Sequence, residues 1–346
     1  MMTRDRKMPG AVPIIVATIL VTAALYLARS VLEPVAFAVF IVALAAPLQT
    51  LLRRHMPAAL ALVLTIFVTL AVVAALILII IWSLGDIAYW VVGNIGRFQA
   101  SYAEANRWLE GHDVHALSLM SQRFDPAWVA GPLRSAASSA QTVVGFIMLA
   151  FVFIVLGLKE STQLPALLRR VQGPEMQWDP VATGLVVAAK YRRYMGVRAV
   201  ASVLTGAATA ALAMLLGVEL PLAWGVLAFA FNFLPFIGPL IVVVLMTLFT
   251  AAQFGTWQPP LMVLVTVSIA QFGIGSYLEP ILAGAALSMS PFIVLLAVFF
   301  WGLLWGIPGA FLGVPIVILV LTICEQMPGS RWVSTLLSGN KDGQPN

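Results

Sequence analysis

Cysteine is almost absent: Cys324 stands alone in 346 residues, which excludes an internal disulfide. Charge is scarcer still over one long stretch. From Ala199 through Cys324 there is no Lys, Arg, Asp or His, and Glu219 and Glu279 are the sole charged side chains. A water-soluble fold needs a polar surface over its core, so this stretch is not a soluble domain. Nor does the chain contain a Walker A glycine loop, which removes ATP as the direct energy source. His112 and His115 lack a third ligand nearby, so no metal site is expected. No Ser/His/Asp arrangement is present, and the chain reads as a non-enzyme that needs no cofactor.

What is there is apolar. Hydrophobic residues make up 61% and charged residues 10%, where soluble chains carry about 25% charged. With a mean hydropathy of +1.00, the expected class is an all-α integral membrane protein. It should have about eight transmembrane helices, with broken or re-entrant pieces in the C-terminal half. Gly (26) and Pro (21) are both frequent, as suits membrane helices that bend or break.

Charge divides the chain. Residues 1–84 hold three apolar runs, Pro13 to Ala28, Val31 to Leu48 and Ala58 to Trp82. Arg29 and Glu33 suggest a local ion pair between the first two. Polarity returns over 85–139, where Val91, Ile95, Phe98, Tyr102, Ala105 and Leu109 recur at alternating spacings of four and three. That is an amphipathic helical stripe, open to packing on its own membrane helices, on a neighbouring subunit or on the membrane surface. A fourth apolar run occupies 140–158, and 159–198 is basic, ending in Lys190, Arg192, Arg193 and Arg198. Residues 199–325 form the core with broken helices, and 326–346 a polar tail. With the N-terminus inside, fourteen of the nineteen basic residues lie on the cytoplasmic side. Both termini are then cytoplasmic, 85–139 is extracytoplasmic, and the expected location is the bacterial inner membrane.

Inside the charge-poor half the breaks carry the polarity. Asn232-Phe-Leu-Pro235-Phe-Ile-Gly238-Pro239 cannot be continuous helix, because each proline removes a donor and clashes with the preceding turn. Such breaks at membrane depth are where transporters bind solutes and ions, although a tight turn at the interface has the same residues. Gln271, Tyr277, Glu279 and Pro280 lead through Gly284 to Pro291. Glu279 precedes a proline, which biases it away from helix. It could carry protons, or cap a half-helix by accepting free backbone N–H groups. Glu219 sits among Gly217 and Pro221 in an expected loop. Gly302, Gly306, Gly309 and Gly313 flank Pro308 in small-xxx-small spacing, which permits a tight helical hairpin.

Together these motifs resemble the autoinducer-2 exporter family of bacterial permeases. The matching residues are Asn232, Pro235, Gly238 and Pro239, then Glu279, Pro280, Gly284 and Pro291, then Gly306-Ile-Pro308-Gly309. One departure is Ala285, where many relatives carry a basic residue. The resemblance implies eight transmembrane helices, a homo-oligomer (a pentamer) with an elevator-like movement, and export of small molecules such as autoinducer-2. It also implies sodium(lithium)/proton antiport in some members. The expected function is secondary-active export of a small organic solute, with Glu279, Asn232, Gln271 and Tyr277 on the path or in proton coupling. Membrane lipid is the expected surrounding and nucleic acid is not an expected partner. Sodium(lithium)/proton antiport is one alternative, though no intramembrane Asp pair is present. The other is a non-transporting scaffold, which a sealed interior without a cavity at Asn232 and Glu279 would favour.

Overall fold

In the computed structural model the described residues are 11–110, 140–161, 163–171, 178–283, 289–327, 329–330 and 332–333. The elements among them are helical: α1 (Ala11–Leu27), α2 (Arg29–Leu52), α3 (Ala58–Gly93), α4 (Ile95–Glu110), α5 (Ala140–Glu160) and α6 (Leu164–Val171). The remainder are α7 (Pro180–Leu215), α8 (Pro221–Phe231), α9 (Ile237–Phe254), α10 (Gln258–Gly273), a π-helical turn (Ile274–Leu278), α11 (Glu279–Ala283) and α12 (Pro291–Gln326). By length and composition α2, α3, α7, α9, the α10–α11 rod and α12 suffice to cross a membrane. α5 and α6 add a seventh candidate bent by 62°. The large apolar side chains of α1, α3 and α10 that face outward have no other solvent than lipid. The protein is an all-α integral membrane protein.

α7 is the post around which the rest is arranged, touching α2, α6, α8, α10, α11 and α12. Asp179 starts it by accepting from the Val181 and Ala182 amides, with Pro180 in the first turn. The helix then runs 36 residues, about 54 Å, straight past Arg198, where the change in composition suggested a boundary. Likewise α3 continues past residue 84 to Gly93 as one helix. α4 lies on α9, with the Ser101 hydroxyl donating to the Ala251 carbonyl at 3.0 Å. Of the three surfaces open to that amphipathic stripe, its described part uses its own membrane helices. Arg29 stacks over the Tyr26 ring at 4.7 Å and acts on Glu33 electrostatically without a contact ion pair.

α8 and α9 form a hairpin that enters and leaves on one side. Gly206 of α7 meets Gly225 of α8 so closely that a Cβ on either would lie 2.7–2.8 Å from the other's carbonyl oxygen. Lower down, the Asn232 amide donates to Ser202, so α8 runs antiparallel to α7. α9 then returns until Gln253 bonds both the Gly217 carbonyl and the Glu219 amide, in the loop where α8 began. α8 is only 11 residues, about 16 Å, and reaches the middle of α7 without crossing. The turn is tight: Phe236 adopts φ 64°, and Gly238 lies so near the Phe231 carbonyl that a Cβ would fall 1.8 Å from its oxygen.

α12 folds back on itself as well. Gly306 has φ 63° and ψ −143°, outside the helical range, and breaks the 36-residue run into two arms. Gly309 faces the Trp301 carbonyl and Gly313 faces that of Ala297, while Val294 and Val298 share a cluster with Val314 and Ile318. Each pair straddles Gly306, which a straight helix could not achieve, so the arms are antiparallel. The glycines make that approach possible: a Cβ at Gly309 would lie 2.0 Å from the Trp301 oxygen. At the tip, the Trp305 indole donates to the Leu25 carbonyl of α1.

Candidate functional site

The two hairpins, α7 and the α10–α11 rod line a half-open cavity of about 670 Å³. From α7 come Tyr194 and Arg198, one helical turn apart. The first hairpin's tip supplies Asn232, Pro235, Phe236 and Pro239. α10 and its continuation contribute Gln271, Gly275, Glu279 and Pro280, and α12 closes the wall with Pro291, Val294 and Val314. Residues separated by more than a hundred positions thus share one chamber, because two broken helices and one rod converge on the middle of α7.

Its charged centre is an ion pair. The Arg198 Nη1 donates to both carboxylate oxygens of Glu279, at 2.7 and 2.6 Å. The side chains are 6% and 23% exposed, so the pair is shielded from bulk water and its partners cannot be separated cheaply. The Tyr194 hydroxyl, one turn earlier on α7, lies against the same guanidinium, while Nε is buried without a partner. Gln271 is 7% exposed, and both its amide atoms are buried and unpartnered. Asn232 is anchored through its amide nitrogen to Ser202 at 3.1 Å. A chamber with this many unspent polar groups, walled by proline, valine and phenylalanine, is equipped to hold a small polar solute.

Glu279 differs from what Pro280 suggested. Its backbone is helical (φ −60°, ψ −46°), because the chain passes from α10 through a π-helical turn into α11 without leaving the helix. The turn's one-residue expansion accommodates the proline and re-aims the positions that follow it. Among the described residues its carboxylate takes the Arg198 guanidinium and no backbone N–H, so it is not a cap.

Of the sequence candidates, Asn232, Gln271, Glu279, Pro235, Pro239, Pro280 and Pro291 meet in the cavity. Tyr277 does not: it is 66% exposed and faces outward, its ring against Phe272. Gly238 shapes the tip from behind, and Gly306, Gly309, Gly313 and Gly302 build the second hairpin. Gly284 lies outside the described residues. Sequence reasoning missed Arg198, which it placed among the basic residues facing water. The signal was its register: Tyr191, Tyr194, Arg198, Ser202, Thr205 and Thr209 recur at spacings of three and four and are all buried.

Comparison with known proteins gives a consistent picture. A family model described as AI-2E family transporter matches residues 15–329. The chain is 26% identical over 318 residues to the AI-2 transport protein TqsA of Escherichia coli (strain K12), covering 90% of each. It is 24% identical over 327 residues to the putative transport protein YhhT of the same strain, covering 93% of this chain and 90% of that one. A putative transport protein of Borreliella burgdorferi is 35% identical over 153 residues, which are 43% of this chain and 41% of that protein.

Proposed function

This chain belongs to the AI-2E family of transporters, and from that premise we propose that it is a secondary-active exporter of a small organic solute, coupled to protons through Glu279. The observation that carries the reading is the cavity of about 670 Å³ centred on a buried ion pair and an unpartnered amide. A non-transporting scaffold has no use for such a chamber, since unspent polar groups in a packed interior only cost stability. The solute binds between the two hairpin breaks and α7, and the autoinducer-2 named for TqsA is the first solute to try. The ion pair supports Glu279 as the coupling residue, since neutralising its charge would release Arg198. The distribution of basic residues supports both termini in the cytoplasm and the inner membrane as location. The family resemblance supports a homo-oligomer.

The test is flux in proteoliposomes holding the purified protein, with imposed proton or sodium gradients and a panel of small solutes. Solute should move when a proton gradient is applied, and Glu279→Gln should abolish that response while the protein still inserts and stays monodisperse. A response to sodium alone, undisturbed in Glu279→Gln, would refute proton coupling. Absence of flux for every solute tried would sink the transport reading.

A further inference from the structure

The ion pair leaves Arg198 underused, and that asymmetry says what the cavity takes. A guanidinium carries five N–H donors in a planar fork. Here Nη1 alone serves Glu279, whose two oxygens are both occupied. Nε is buried without a partner, and the Tyr194 hydroxyl is the guanidinium's other polar neighbour. Gln271 adds a further unpartnered donor in the same chamber, along with one acceptor. The pocket therefore holds one cation, balanced at present by the Glu279 carboxylate, beside an unpartnered amide. Its other walls are apolar, with Phe236, Leu240, Val243 and Val294 among them.

Resting on the exporter reading above, we propose that the transported solute is a small organic monocarboxylate, recognised by Arg198 in the position that the Glu279 carboxylate now holds. In the empty site Glu279 is the tethered stand-in for that anion. It is the more exposed partner of the pair, at 23% against 6%, and it sits directly after the π-helical turn, so it is the side chain that yields when the solute arrives. One guanidinium in an apolar chamber balances one negative charge. That disfavours multiply charged anions, and a hydroxyl on the solute finds both a donor and an acceptor in the Gln271 amide.

The proposal is tested by equilibrium binding to detergent-purified full-length protein, read as protection against thermal unfolding. The probes are 3-hydroxybutyrate, its neutral amide 3-hydroxybutyramide, and the cation 3-hydroxybutylamine, which share a chain and differ in charge. Charge-assisted bonds are roughly twice as strong as neutral ones, so the carboxylate should bind about tenfold tighter than the amide. The amine should not bind. Glu279→Gln removes the resident competitor and leaves Arg198 unpaired. Its lowered thermal stability should be restored by 3-hydroxybutyrate and not by the amide. The double variant Arg198→Gln/Glu279→Gln keeps no buried charge, so it folds without an orphaned ion, and its preference for the carboxylate should vanish. Equal binding of carboxylate and amide, no binding of the carboxylate, or a preference that survives in the double variant would each overturn the proposal. These readouts need no flux, so they stand apart from the proteoliposome result. Flux of neutral solutes with no carboxylate preference would leave the exporter and remove the anion site.

Discussion

Gly238→Ala adds one methyl group and should cost the protein its transport. The glycine opens α9 just after the Phe236 turn, and a Cβ there would lie 1.8 Å from the Phe231 carbonyl oxygen and 2.5 Å from its carbon. Ordinary contact begins near 3.4 Å, and the atoms in the way are backbone, which no rotamer change can move aside. The last turn of α8 and the first turn of α9 must separate, and with them move Asn232, Pro235 and Phe236, which line the cavity. Overpacking of a tight site typically costs about 1–3 kcal/mol, and forced motion of backbone belongs at the upper end. The Asn232–Ser202 hydrogen bond, worth about 1 kcal/mol, is also at risk. The control is Gly275→Ala, in the π-helical turn beside the same cavity, where a Cβ meets nothing within 4 Å. Heating each variant and following its monodisperse fraction by size-exclusion chromatography gives the stability order. Flux in proteoliposomes gives the functional one. Gly238→Ala should melt lower and lose most flux, whereas Gly275→Ala should match the parent in stability. If both variants melt together and transport alike, the close approach of α8 and α9 is not a determinant of the site.

Gln271→Leu should leave heat stability unchanged or raise it, because it removes two buried amide atoms that lack partners, each a liability of about 1–3 kcal/mol. The same change should weaken solute binding in the thermal-protection assay; undiminished binding would exclude the amide from recognition. Lys190→Ala should be nearly silent. Its 2.5 Å pair with Glu325 joins side chains 30% and 40% exposed, and such pairs contribute about 0–1 kcal/mol, so a large drop in melting temperature would contradict the assignment.

The membrane class and the breaks were legible because absence of charge and clusters of Gly and Pro are local signals. Pro235, Gly238 and Pro239 announce a turn whatever the rest of the chain does, and the turn is there. The glycine spacing around Pro308 permitted a hairpin, and Gly306 makes one. What local reading cannot supply is which break meets which helix. Arg198 looked like the last member of a basic aqueous run because Lys190, Arg192 and Arg193 precede it. Only the third dimension shows that eight residues along α7 is about 12 Å of depth, enough to pass from the exposed pair with Glu325 to the shielded pair with Glu279. Glu279 misled in a different way. The bias of a pre-proline residue away from helix is a steric preference and not a prohibition, and Glu279 takes helical φ and ψ where the π-helical turn hands over to α11. Tyr277 was drawn in by proximity in sequence, but two positions along a helix turn a side chain to the far side, here toward the exterior.

The carboxylates of the C-terminal half share a feature that follows from its composition. Having no cations of its own between Ala199 and Cys324, it must borrow partners from earlier in the chain. Glu219 accepts from the Trp90 indole of α3, Glu325 from Lys190, and Glu279 from Arg198. The first two lie at exposed positions, where water replaces a lost partner at little cost. The third does not. Moving the α10–α11 rod along α7 by one helical turn, about 5.4 Å, would tear apart a contact of 2.6 Å. It would strand a charge in the interior, at a cost of about 3–5 kcal/mol. A proton on Glu279 together with an anion on Arg198 would leave neither charge stranded. Under the coupling proposed above, a cation on α7 facing a carboxylate on the neighbouring rod would make any displacement between them conditional on arriving charge. A half that carried its own buried cation beside Glu279 would lack that constraint.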